Sequence, residues 1–260
     1  MRKFALLVAL ATGGALFGIA PGAAQTSPNT GSFCQTALKV DKLSSQLFSS
    51  NKKPSQKSIQ TLDAAFTEAE NTAPPEVAAN VQAAVSEVRN ALQSGKEPNE
   101  DVIEPNTAAI DQYRYNSCGY PTAEVTGTEY AFQGLPKTAQ QGPLAIKFTD
   151  NGSEVHELGL ARVKSKDSVK KLVSLPEKEA NKKVEFLNGT NDVSPGQTTY
   201  LIADFEKPGR YAVVCFVNVG ATTPDQAHAG HGTPHAQKGM YGEITVKRGS
   251  TSSSTATSAP

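Results

Sequence analysis

The residues best suited to chemistry are concentrated in the second half of the chain. Besides Cys215 and Met240, this half carries all four histidines, namely His156, His228, His231 and His235. Two imidazoles and one thiolate in a trigonal plane, with a weak axial thioether, are the ligands of a mononuclear blue-copper site. The thiolate suits Cu(I), and the imidazoles suit both oxidation states. The second half of the chain therefore contains every ligand type that such a site needs.

The order of these residues along the chain adds to this interpretation. Cys215 lies at the end of a predicted strand that a tight turn at Pro208-Gly209 introduces. His235 and Met240 are separated by four residues and directly precede a final predicted strand. This arrangement resembles the C-terminal signature of the cupredoxin family, the relatives of plastocyanin and azurin.

The resemblance covers roughly residues 123–248 and implies a Greek-key β-sandwich. It also implies that copper is held by His156, Cys215, His235 and Met240, with His156 far upstream beside another strand. In one respect the chain departs from the family, because nineteen residues separate Cys215 from His235 where relatives have only a few. His235 is preferred as the second histidine ligand since only it has the familiar spacing to Met240.

The long insertion leaves alternatives open. His228 and His231 lie within it, so either could replace His235, or the two could form a second, weaker metal site. The segment from Ala221 to Pro234 is expected to be flexible without metal, because it is rich in small and polar residues. Taken singly, Cys215 could also be an inert buried thiol.

The region that positions these residues has the pattern of a β-sandwich. From residue 121 onwards, β-branched and aromatic residues alternate with polar ones, and turn signals separate most of the segments. The predicted strands are Glu124–Phe132, Leu144–Thr149, Val155–Val163, Val184–Leu187, Thr198–Phe205, Arg210–Phe216 and Gly242–Lys247. A lysine-rich segment, residues 165–183, interrupts them, and we interpret it as a solvated face with a short helix from Asp167.

Residues 32–120 have a different pattern, with apolar residues at helical spacing. Breaks at Asn51 to Pro54, Asn71 to Pro75 and Gly95 to Pro98 predict four helices in an antiparallel bundle, the fourth over Pro105–Ser117. Cys34 and Cys118 then fall at the start of the first helix and the end of the fourth. We therefore predict a disulfide between them, which leaves Cys215 free for metal.

The N-terminus is typical of a secretory signal peptide. A positive Met1-Arg2-Lys3 is followed by an apolar stretch and by small residues before a cleavage point near Ala24. We expect a signal peptide over 1–24, a linker over 25–31, a helical domain over 32–120, a cupredoxin-like domain over 121–248 and a disordered Ser/Thr-rich tail over 249–260. The mature protein would be secreted, or located in the periplasm or cell envelope, with no membrane span.

Composition and motifs narrow the possible functions. The chain has 25 basic and 25 acidic residues, which does not favour nucleic acid as a partner. No nucleophile motif or phosphate-binding glycine loop is present, so we do not expect an enzyme. The leading hypothesis is a copper protein that transfers single electrons to a redox partner protein. The alternatives are a copper-binding or storage module and a metal-free cupredoxin-fold interaction domain.

Overall fold

The structure is a computed structural model that describes residues 28–48, 54–230 and 232–249. The predicted signal peptide, nearly all of the predicted tail and His231 lie outside the described residues. The described chain begins with four long helices and continues as strands with short helices between them. Among the described residues, no helix is both long enough and apolar enough to cross a membrane.

Four helices form the N-terminal region, as the apolar spacing predicted. They are α1 (Pro28–Phe48), α2 (Gln56–Thr72), α3 (Ala78–Ser94) and α4 (Glu100–Ser117). Residues 28–31 belong to α1 rather than to a linker, since a proline fits the first turn of a helix and Thr30 is buried close to Tyr113. The fourth helix begins before Pro105 because the Asn99 side chain caps it by accepting the Asp101 N–H.

The helical core is built from one face of each of the first three helices. Phe33, Leu62, Phe66, Val81 and Val85 are buried together in it. A disulfide joins Cys34 to Cys118 with a Cα–Cα distance of 5.7 Å, which is the pairing that the sequence predicted. The start of α1 is thereby tied to the residue that follows α4.

Nine strands make up the described C-terminal region, and most lie where the alternating pattern predicted them. They are β1 (Thr122–Thr128), β2 (Ala131–Gln133), β3 (Thr138–Gln140), β4 (Gly142–Asp150), β5 (Gly159–Val163), β6 (Val184–Gly189), β7 (Thr198–Phe205), β8 (Gly209–Val214) and β9 (Tyr241–Lys247). The short helices are α5 (Val169–Val173), α6 (Glu177–Lys183), α7 (Pro224–Ala227) and α8 (His235–Lys238).

The strands form two sheets, in the orders β2-β1-β4-β7 and β3-β9-β8-β5-β6. Inward-facing side chains of both sheets share one apolar core, for example Ile146 and Phe148 from the first sheet and Leu160, Tyr211 and Val213 from the second. The opposite face of β8 packs on Val169 and Leu172 of α5. The lysine-rich segment is thus partly buried through its apolar residues, while most of its lysines face solvent.

Candidate metal centre

His156 lies where the chain crosses between the sheets. Its N–H donates to the Val193 carbonyl at 3.1 Å, and its carbonyl accepts the Val193 N–H at 2.8 Å. The predicted strand Val155–Val163 is wrong in its first half, because Val155 bonds to Ala221 and His156 to Val193, neither of which belongs to a strand. Only Gly159–Val163 is a strand.

Backbone hydrogen bonds hold Cys215, His235 and Met240 close together. Cys215 directly follows β8, and its N–H donates to the Met240 carbonyl at 3.2 Å. The Ala236 N–H donates to the Cys215 carbonyl at 2.8 Å, and the Met240 N–H donates to the His235 carbonyl at 3.0 Å. The single turn of α8 therefore holds the histidine and the methionine against the end of β8.

The nineteen-residue insertion folds back on itself and returns His235 to Cys215. Its two arms pair through an antiparallel bridge between Asn218 and Pro234. The His235 N–H then donates to the Val217 carbonyl at 2.8 Å, next to the start of the insertion. The insertion contains α7, which begins with a proline. A long loop is thus compatible with a compact cluster.

The side-chain donors of His156, Cys215 and His235 converge in a dry interior. The two histidine Nδ1 atoms are 3.0 Å apart, and Cys215 Sγ is 3.5 Å from His235 Nδ1. One donor atom from each of the three residues lies within 4.8 Å of the other two. All three side chains are fully buried, as is Met240. Cys215 is the only free cysteine of the described chain, and it is buried here.

Met240 borders the same space, next to Gly127 of β1. A Cβ built on Gly127 would lie 2.9 Å from Phe148 Cζ, 3.2 Å from Met240 Cε and 3.3 Å from His156 Cδ2. The methionine methyl group and the His156 ring therefore meet at the one position where the strand has no side chain. Gly127 was not singled out in the sequence, since a lone glycine in a strand carries no sign of what it faces.

His228 does not join this cluster. Its Nε2 atom lies 3.2 Å from Asp192 Oδ1 and 3.9 Å from Glu157 Oε2. These three residues form a separate, partly buried group whose potential ligand atoms also lie within 4.8 Å of one another. The possible pairing of His228 with His231 falls partly outside the described residues. Asp192 and Glu157 were missed because neither lies near a histidine of the insertion in sequence.

A carboxylate fixes the ring of His235. His235 Nε2–H donates to Glu154 Oε2 at 3.0 Å, and because a carboxylate only accepts, the Nδ1 atom keeps its lone pair toward Cys215. The Tyr130 ring lies 4.9 Å from the imidazole and its hydroxyl donates to Glu154. These two side chains cover the His235 ring, which is fully buried.

The far side of His156 faces two carboxylates. His156 Nε2 lies 3.7 Å from Glu129 Oε1 and 3.8 Å from Asp150 Oδ1, and it has no hydrogen-bond partner among the described residues. Burial would raise the pKa of Glu129, but backbone N–H groups of Glu154 and Ser153 lower it to about 2. The Glu129 carboxylate is therefore negatively charged, and it lies on the far side of the His156 ring.

Burial keeps the three converging donors uncharged. It lowers the pKa of His156 to about 4, with a further contribution from nearby His235, and it lowers the pKa of His235. Burial, followed by the nearby Glu157, raises the pKa of the Cys215 thiol far above its ordinary value. The imidazoles are therefore neutral, while the thiol would have to lose its proton in order to bind a metal.

The arrangement fits a soft metal ion with imidazole and thiolate ligands. Because Glu154 places the His235 proton on Nε2, the 3.0 Å contact between the two Nδ1 atoms requires a proton on His156 Nδ1. If His156 held a metal through Nδ1, its ring proton would lie on Nε2 instead, the buried atom that has no hydrogen-bond partner among the described residues and faces two carboxylates. This donor set has the composition of a blue-copper centre.

The two-sheet sandwich and the buried His156, Cys215 and His235 cluster at its end define the class of this region. The C-terminal half is cupredoxin-like, and the resemblance predicted from the sequence is confirmed. The four N-terminal helices lie outside the resemblance.

Comparisons with known proteins gave structural matches only. No protein-family model matches the chain, and no curated protein matches it in sequence. Reduced auracyanin from Roseiflexus castenholzii is 20% identical over 48% of this chain and 96% of its own, with a TM-score of 0.33. Auracyanin A from Chloroflexus aurantiacus, described as a "blue" copper protein, is 17% identical over 50% of this chain and 100% of its own (TM-score 0.31). A multi-copper oxidase from Pediococcus acidilactici is 10% identical over 51% of this chain and 27% of its own (TM-score 0.30).

Proposed function

We propose that the protein binds one copper ion through His156, Cys215, His235 and Met240 and transfers single electrons. The observation that carries this proposal is the convergence of two neutral imidazole nitrogens and one thiol sulfur in a fully buried space. Copper held there would supply a one-electron Cu(I)/Cu(II) couple. Met240 would be the weak axial ligand, because it borders the same space beside the His156 ring.

The surrounding residues would keep the ligand geometry fixed. Glu154 orients the His235 ring, and the N–H of Glu157 donates to Cys215 Sγ at 3.5 Å. Hydrogen bonds of this kind hold metal ligands in place and tune the site. A donor to the sulfur stabilises the thiolate charge, so the Glu157 N–H would favour the deprotonated form of Cys215.

Electron transfer is favoured over catalysis by the burial of every proposed ligand. None of the four side chains exposes surface through which a substrate could reach a metal. Electrons would pass through His235 and the side chains of Glu154 and Tyr130 that cover it. We propose that a redox partner protein, whose identity stays open, docks over these two side chains.

We further propose that the protein is exported, with the domain boundaries given above and an antiparallel arrangement of the four helices. The Cys34–Cys118 disulfide supports export, because disulfides persist mainly in oxidising compartments. Residues 1–24 would be removed as a signal peptide, and mass determination of the N-terminus of the exported protein tests this point. A mature chain that still begins at Met1 would contradict it.

Voltammetry of the copper-loaded protein and its electron self-exchange rate test the function. We expect one reversible one-electron wave and rapid self-exchange, because a rigid buried site changes little between oxidation states. Loss of copper on each reduction, or slow exchange despite a filled site, would favour the storage module. If the protein bound no copper, the metal-free interaction domain would be the remaining hypothesis.

A further inference from the structure

A second group of metal-binding side chains lies outside the proposed copper site. It consists of Glu157, Asp192 and His228, which come from three separate segments of the described chain. His228 Nε2 is 3.2 Å from Asp192 Oδ1 and 3.9 Å from Glu157 Oε2. Both carboxylate side chains are 17% exposed and that of His228 is 36% exposed, so an ion could enter from solvent.

The separations suit one small cation. Two ligands held 2.0–2.2 Å from a tetrahedral ion lie about 3.3–3.6 Å apart. The separations of 3.2 and 3.9 Å lie just below and just above this range. Modest movements of two side chains would therefore complete the coordination. One imidazole and two carboxylates are a ligand set that Zn²⁺ accepts, with water in the fourth position.

The charges around the group also favour a cation. In the described chain, the ion pairs of Glu157 and Asp192 involve no lysine or arginine, and His228 is the partner of both. Glu100 and Glu104 of α4 lie near Asp192. Burial first, and then neighbouring carboxylates including Asp192, raise their pKa values. The helical region thus adds negative charge to this side of the sandwich.

Glu157 links this group to the proposed copper site by two backbone contacts. Its own N–H donates to Cys215 Sγ, and its Oε1 atom accepts the N–H of Phe216 at 2.7 Å. The second carboxylate oxygen remains directed toward His228. One residue therefore touches the thiol ligand of one site and belongs to the donor set of the other.

We propose that Glu157, Asp192 and His228 form a second metal site for a divalent first-row transition cation of the zinc class. Binding there would neutralise the Glu157 carboxylate next to the Cys215 sulfur. The reduced copper site, which carries one positive charge fewer, would then be favoured over the oxidised one. The cation would raise the reduction potential, and this coupling rests on the proposed copper function.

The test uses ZnCl₂ and the imidazole ¹⁵N signals of the full mature protein loaded with diamagnetic Cu(I). We expect Zn²⁺ to move the His228 signals at one equivalent while those of His156 and His235 stay in place. In Asp192→Asn, Zn²⁺ should bind at least about 10-fold more weakly, because losing even an outer-shell partner typically costs that much. Asp225→Asn is the control, since it removes the same charge from the exposed helix just before His228.

The outcomes separate this site from the copper site. Unmoved His228 signals, or an Asp192→Asn variant that responds like the wild type, would overturn the second site. If Cu(I) leaves the His156 and His235 signals unchanged, the proposed function fails, whereas the His228 response to Zn²⁺ still decides the second site. A reduction potential that Zn²⁺ does not shift in the wild type would overturn the coupling.

Discussion

The two halves of the molecule have cores of different composition, and they differ in the potential metal ligands that they contain. The helical core is built largely from alanine and valine around a few larger side chains, and a disulfide closes it. Nine of the fourteen buried residues of the sandwich core are leucine, isoleucine, phenylalanine or tyrosine, and no disulfide lies among the described residues of this half. Within the described residues, both groups of three potential metal ligands lie in the sandwich half.

The proposed copper site therefore depends on the end of the sandwich and not on the helical core. Backbone hydrogen bonds join residues 215–217 to residues 235–240, and others join His156 to Val193. Damage to the helices should therefore lower stability without changing the copper spectrum. Damage near β1 or α8 should change the spectrum even where stability is little affected.

Removal of the disulfide should have the largest effect on stability. Cys34→Ala with Cys118→Ala opens a loop of 84 residues, which should lower the free energy of unfolding by about 4–5 kcal/mol on the chain-entropy model. Denaturant unfolding followed by circular dichroism measures this change. The visible spectrum of the copper-loaded double variant, wherever it is folded, should match that of the wild type. A shifted spectrum would mean that the helical half does shape the site.

Two glycine-to-alanine substitutions, one in each half, should change the stability in opposite directions. Gly127→Ala places a Cβ 2.9 Å from Phe148 and close to Met240, and such overpacking should destabilise by about 1–3 kcal/mol. Gly31→Ala is the matched control in α1, where nothing lies within 4 Å, and it should stabilise by roughly 0.5–1 kcal/mol. Only Gly127→Ala should alter the copper spectrum, and an unaltered spectrum there would place Met240 outside the site.

Met240→Leu should have the smallest effect on stability, below about 1.5 kcal/mol, because it nearly conserves volume. The variant should keep its copper. Its reduction potential should rise, because loss of an axial donor disfavours Cu(II) more than Cu(I). Voltammetry of the two proteins gives the comparison. An unchanged potential would show that the thioether does not contact the metal.

The sequence predicted the parts of the fold that follow from periodicity. The β7 strand, Thr198–Phe205, has the predicted bounds, because turn residues flank its apolar run on both sides. The short strand β3 was missed, since the three residues Thr138–Gln140 are too few to show a pattern and pair only with the distant β9. His156 was predicted as part of a strand, but its long-range hydrogen bonds with Val193, and that of Val155 with Ala221, set the local conformation.

In the candidate site, too, local spacing could be predicted from the sequence and long-range contacts could not. The spacing of His235 to Met240 pointed to the histidine that the structure places beside Cys215. Glu154 could not be predicted, because its hydrogen bond to His235 joins residues that are 81 positions apart. The cover over His235 was missed for the same reason, since Tyr130 comes from the turn between β1 and β2.

The central claim is that the Cys215 thiolate binds copper in a buried site, and visible absorption tests it most directly. Mature wild-type protein loaded with Cu(II) should show the intense band of a thiolate-to-copper charge transfer, and Cys215→Ser should lose it. The substitution replaces one atom at a position that is fully buried, and circular dichroism should verify that the variant is folded. A folded Cys215→Ser variant with unchanged copper affinity and spectrum, or a wild type without the band, would contradict the account.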